Sequence, residues 1–90
     1  METEIEKEAT VVNDLGFHAR AAAQIAKIAQ KASAEIWLIK DGEKVDASSI
    51  IDILTLACAK GSRVKFAAKN LSDAGILDDI IKLVEEGFGE

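Results

Sequence analysis

The sequence has no proline, a single cysteine and a single histidine. Nowhere does it carry the roughly 18 consecutive apolar residues of a bilayer-crossing helix. With no proline, no low-complexity tract and no repeat at a fixed period, it offers no candidate linker, so residues 1–90 read as one domain. A chain of 90 residues supports one hydrophobic core and is too short for two. The lone cysteine, Cys58, excludes an internal disulfide and cannot form a CxxC pair, and it reads as a small buried hydrophobe. With one histidine beside it, neither a metal site nor a cofactor is expected. Cations are also scarce: 11 Lys and Arg against 16 Asp and Glu leave a net charge of −5. The clustered Lys and Arg that nucleic-acid binding requires are missing. The opening METEIEKEAT is acidic, unlike a secretory signal. The expectation is a cytoplasmic monomer that neither binds nucleic acid nor inserts into a membrane.

What is present is strong patterning. Ile5 to Val12 reads as a strand, followed by a turn at Asn13-Asp14. Ala19 to Lys31 forms a helix whose apolar stripe holds Ala22, Ile25, Ala26, Ile28, Ala29 and Ala32. Ala34 to Lys40 and Lys44 to Ala47 are strands joined by the hairpin signal Asp41-Gly42. Ser48-Ser49 is a cap signal for a second helix, Ile50 to Ala59, with Gly61 as its stop. Val64, Phe66 and Ala68 alternate with Arg63, Lys65 and Lys69 in a fourth strand. Asp73 to Glu86 is a third helix, with Ser72 as cap and Gly87 as stop. The order β-α-β-β-α-β-α implies an α+β, two-layer open-faced sandwich, a four-stranded antiparallel sheet with three helices on one face.

His18 stands at the start of the first helix, where Ala19 and Ala21 lie in the first turn and backbone N–H groups lack intrahelical acceptors. That end carries about half a positive charge, which disfavours an imidazolium and favours an anion. A neutral imidazole placed there suits a nucleophile that goes on to carry negative charge. Arg20 adds a fixed cation whose planar fork matches phosphate, and Gly16 permits positive φ or a close backbone approach. The combination points to a phosphoryl acceptor.

In the second helix, at about 100° per residue, Ile50, Ile51, Ile53, Leu54, Leu56 and Ala57 span about 220° of the circumference. One core-facing stripe needs little more than about 100°. If Ile53, Leu56 and Ala57 face the core, Ile50, Ile51 and Leu54 are left as an exposed apolar patch, either a docking surface or a seat for a neighbouring loop. Ser49 is the better N-cap, and phosphoserine is also stabilised at a helix start; Ser48 competes for either role.

Gly16-Phe17-His18-Ala19-Arg20 before an alanine-rich helix, Ser49-Ile50-Ile51 opening the second helix and Ala59-Lys60-Gly61 closing it resemble the histidine-containing phosphocarrier family HPr. The likeness runs from about Ile5 to Phe88. It implies that His18 accepts a phosphoryl group at Nδ1 from phosphorylated enzyme I of the phosphoenolpyruvate:sugar phosphotransferase system and passes it to an enzyme IIA, with Arg20 holding the group. By the same resemblance, Gly16, Phe17, Ile50, Ile51 and Leu54 face partners, and Ser49 is the site modified in some bacteria by an ATP-dependent HPr kinase. Two positions depart from the family pattern. Ala21 stands where proline is usual, which adds an N–H and loosens the first turn. Asp52, shortly after Ser49, would repel a phosphoserine.

The Ala59-Lys60-Gly61 stretch and the Gly87-Phe88 ending also resemble the family's nitrogen-related branch, which relays phosphate for regulation. Either branch is a carrier rather than a self-sufficient enzyme. The competing reading is a regulatory module of the same fold that docks partners through Ile50, Ile51 and Leu54 without carrying phosphate.

Overall fold

In the computed structural model, which describes residues 4–90, the hairpin of the expected sheet is fixed by its turn. Asp41 and Gly42 both have positive φ, 52° and 83°. That is the backbone twist that lets a two-residue loop join β2 (Ile36–Lys40) to β3 (Glu43–Asp46). β1 (Ile5–Thr10) and β4 (Arg63–Ala68) complete an antiparallel sheet of order β1-β4-β2-β3. β4 is therefore central, pairing with β1 from Ile5↔Ala68 to Thr10↔Arg63 and with β2 from Ile36↔Ala68 to Ile39↔Lys65. Its inward residues Val64, Phe66 and Ala68 are buried. The outward Arg63 and Lys65 instead meet Glu8 and Glu6 of β1 at 2.8 and 3.9 Å.

Three helices cover the sheet: α1 (Ala19–Ala29), α2 (Ile50–Thr55) and α3 (Ala74–Glu85). Ala21, Ala22, Ile25, Ala26 and Ala29 of α1 and Leu77, Ile80 and Val84 of α3 are the buried stripes. Ile36, Leu38 and Phe66 meet them from the sheet. The alanine-rich face of α1 lets its backbone lie close to its neighbours, while the larger side chains come from α3 and the strands.

Three sequence readings need correction. The second helix ends at Thr55 rather than Ala59, because Ala57 adopts φ 49° and turns the chain four residues before Gly61. Left-handed alanine costs about 1 kcal/mol, but the turn brings the Cys58 carbonyl onto the Phe17 N–H at 2.9 Å. Ala57 is consequently exposed rather than facing the core. At the third helix, Ser72 does not cap. A short 3-10 turn, Leu71–Asp73, precedes α3, and Asp73 turns its side chain away from that helix.

Asp73 instead ties α3 to the end of α1. It is 4% exposed, and its carboxylate accepts the Ser33 and Ala34 N–H groups at 3.0 and 3.2 Å and the Ser33 hydroxyl at 2.9 Å. The Ser33 N–H, with these other donors, holds the carboxyl below its usual range against the opposing effect of burial. Asp73→Ala would leave the Ser33 and Ala34 donors unpaired and is expected to cost about 2 to 3 kcal/mol in urea unfolding. Because the folded-state pKa is depressed, this stabilisation is present above the unfolded value and is lost as pH falls through the folded one. The advantage of the wild type over Asp73→Ala should therefore begin to shrink as pH falls below about 4, the part that remains being what a protonated carboxyl can still accept. An advantage that stays constant from about pH 7 through strong acid would contradict this assignment.

Candidate functional site

The loop from Val11 to His18 carries the site, and Gly16 decides its path. Gly16 is buried with φ +64°, and a Cβ there would lie 2.3 Å from the Cys58 carbonyl oxygen and 3.0 Å from the Ala59 Cα. Only glycine allows the loop to press against the 57–59 segment this closely. Burial raises the Cys58 thiol above its ordinary range, as befits a packing residue. Beyond Gly16, Phe17 turns inward. It is 4% exposed and packs on Phe66 at 6.4 Å and edge-on against Phe88 at 5.6 Å. Gly16 and Phe17 were expected to face partners; both are buried, and Phe17 serves to anchor the residue that follows it.

That residue is His18, the N-cap of α1. Its backbone is extended (φ −71°, ψ 178°), and its Nδ1 accepts the Arg20 N–H at 3.2 Å. Its carbonyl accepts the Ala22 N–H at 2.8 Å. An Nδ1 that accepts carries a lone pair, so the ring proton of the neutral imidazole sits on Nε2. The site is only partly open, with 26% of the His18 side chain exposed. The first-turn amides of Ala19 and Ala21 have no intrahelical acceptor, and Arg20 is exposed beside them. One nucleophilic nitrogen, helix N–H donors and a guanidinium therefore share one end of α1.

Sequence reasoning missed two members of this site. The Glu90 carboxylate binds His18 Nε2 through one oxygen, and its other oxygen accepts from Asn13 Nδ2 at 3.2 Å. Asn13 Nδ2 also donates to the Gly16 carbonyl at 2.7 Å. Asn13 is 5% exposed, and its Oδ1 has no hydrogen-bond partner among the described residues. The hydrogen bond from His18, helped by Asn13 and the nearby Arg20 charge, holds the Glu90 carboxyl below its usual range. No local pattern links position 90 to position 18. The only signal was the terminal Gly-Phe-Gly, whose residues all adopt positive φ (68°, 59° and 75°) and fold the tail back.

The apolar patch is where the wheel placed it. Ile50, Ile51 and Leu54 are 41%, 73% and 39% exposed, while Ile53 is fully buried. Ser49 caps α2 by accepting the Asp52 N–H at 3.3 Å. Ser48 is occupied elsewhere, its hydroxyl donating to Asp46 at 2.6 Å. A depression of about 390 Å³ lies at the other end of α1, lined by Gln30, Ser33, Glu35 and Ser48, and does not include His18.

An open-faced sandwich whose one imidazole caps its first helix is the architecture of a small phosphocarrier. The family model described as PTS HPr component phosphorylation site matches residues 5–86, and the chain belongs to this HPr and NPr phosphocarrier family. It is 30% identical to the phosphocarrier protein HPr of Cupriavidus necator, over 96% of this chain and 97% of that one. It is 34% identical to the phosphocarrier protein NPr of Shewanella violacea, over 98% and 97%. Its fold is similar to the crystal structure of HPr-C-His from Thermoanaerobacter tengcongensis, with a TM-score of 0.86 and 36% identity over 96% and 97% of the two chains. Among the described residues, no helix is long and apolar enough to cross a membrane.

Proposed function

We propose that this chain carries a phosphoryl group on His18 Nδ1, received from phosphorylated enzyme I and delivered to an enzyme IIA in the cytoplasm. The observation that carries the reading is the placement of Nδ1. Its lone pair points at the start of α1, held by nothing stronger than a 3.2 Å backbone hydrogen bond that an incoming phosphorus can displace. After transfer, the anionic phosphoryl oxygens lie beside the first-turn amides and the Arg20 guanidinium. Ala21, in place of the family's usual proline, supplies one further N–H to that group.

The chain is a carrier rather than a self-sufficient catalyst, because His18 is both acceptor and donor and is regenerated in each cycle. The reading does not require phosphorylation of Ser49, where a dianion would face the Asp52 carboxylate in the first turn of a six-residue helix.

A reconstituted relay tests the proposal. With phosphoenolpyruvate, enzyme I and an enzyme IIA, label should reach the IIA protein only when this chain is present; label that reaches it equally well without the chain would sink the reading. Ile50, Ile51 and Leu54 are the proposed docking surface for both partners. Ile51→Glu is expected to raise the KM for transfer about tenfold or more while leaving the unfolding midpoint near that of the wild type, since the side chain is 73% exposed. An unchanged KM would remove Ile51 from the interface.

A further inference from the structure

We propose that Glu90 is a positioning residue for His18: its carboxylate fixes the ring through Nε2–H and keeps that proton in place once Nδ1 is phosphorylated. The proposal rests on the carrier reading above and assigns a residue to it.

The tail is built for this contact. Phe88 is 7% exposed and packs edge-on against Phe17, the residue before His18. Gly87 and Gly89 supply the left-handed conformations that bring the chain round, and Asn13 holds the second carboxylate oxygen. Glu90 is thus held at both oxygens, and His18 at both ring nitrogens. A carboxylate that receives the distal N–H of a working histidine sets both its tautomer and its orientation.

In loading, the Nδ1 lone pair attacks phosphorus, the bond from phosphorus to the donor atom breaks, and its electron pair leaves with the donor. No proton moves, because Nε2 already carries one, and the ring becomes a cation whose N–H faces Glu90. In discharge, the Nδ1–P bond breaks and its electron pair returns to the ring. A ring protonated at Nε2 leaves as neutral imidazole, whereas a deprotonated one would have to leave as imidazolate, a far poorer leaving group. By pairing with the cation, Glu90 keeps the phosphorylated ring in the form that discharges, up to higher pH than it would otherwise reach.

The charged groups around the ring are few. Glu90 comes from the tail and Arg20 from α1, and the adjoining loops contribute Asp14 and Lys60, which pair with each other at 2.7 Å. Arg20 opposes a cationic ring; the phosphoryl group favours it in every variant, and Glu90 is the protein side chain in contact with the ring that adds to that.

The test uses the full chain, phosphorylated with phosphoramidate, with loss of phosphate followed by phosphorus NMR from about pH 5 to about pH 10. Glu90→Ala and Glu90→Gln are compared with the wild type and with Glu85→Gln, which removes a similar charge from an exposed position on α3. In both Glu90 variants the alkaline fall in discharge rate should move to lower pH by about one unit, the size expected from losing one close, partly exposed counter-charge. Glu85→Gln should follow the wild type. In the unphosphorylated protein the Nε2–H proton should give a protected NMR signal that Glu90→Gln retains, its amide oxygen still accepting, and Glu90→Ala loses. Phosphate on the wild type with coincident pH profiles would overturn the role of Glu90 alone. A wild type that takes no phosphate would overturn the carrier reading and this role with it.

Discussion

His18→Ala takes up no acid-labile phosphate from enzyme I, a complete loss rather than a slowing. The expectation follows from composition as much as geometry. No other histidine exists in the chain, and neither Cys58 nor Ser49 is suited to replace it. Cys58 is buried with its thiol pKa raised, and Ser49 is engaged as a helix cap. The variant should also lose about 1 kcal/mol of stability, because Nδ1 caps the Arg20 N–H and alanine does not. His18→Ser separates the two effects: serine is a strong N-cap, so most of the stability should return while phosphate uptake does not. Intact mass and urea unfolding on the same samples check both parts. Acid-labile phosphate on either variant would remove His18 from its role.

Gly16→Ala has the second largest effect. The added methyl would lie 2.3 Å from the Cys58 carbonyl oxygen, and the obstacle is backbone rather than a flexible side-chain tip. Relief requires the 57–59 turn or the 13–18 loop to move, and φ +64° is itself unfavourable for alanine. Left-handed strain of about 1 kcal/mol and overpacking of about 1 to 3 kcal/mol together predict a loss of about 2 to 4 kcal/mol. Moving the loop also stretches the Phe17 N–H bond to Cys58 and carries His18 with it. Phosphate uptake should therefore slow even at temperatures where the variant is folded. Wild-type stability together with wild-type uptake would show that the close approach is not needed.

The parts of the fold legible in the sequence are those whose cause is local. Asp41-Gly42 takes the positive φ values a tight hairpin demands, Ser49 caps α2, and Gly87 ends α3. The exposure of Ile50, Ile51 and Leu54 followed from having more apolar residues than one helical face can bury. His18, Arg20 and the start of α1 at Ala19 were likewise readable from one short stretch.

What escaped is set by contacts between distant segments. The second helix stops early because the chain must return its Cys58 carbonyl to Phe17, and this need overrides an apolar run that favours continuation. Phe17 resembled a surface residue until Phe66 and Phe88 closed over it. Asp73 does stand at the start of α3, but its carboxylate oxygens serve Ser33 and Ala34, 40 and 39 positions away, rather than the helix. Glu90 lies 72 positions from His18, and no periodicity or spacing rule connects them.

The most direct measurement is intact mass of the wild-type chain after incubation with phosphoenolpyruvate and enzyme I, repeated after brief acid treatment. One added phosphate that disappears in acid and survives alkali is the expected result, since a phosphohistidine is lost in acid and a phosphoserine is not. No added phosphate with a competent enzyme I from the same source, or phosphate that survives acid, would contradict a carrier built on His18.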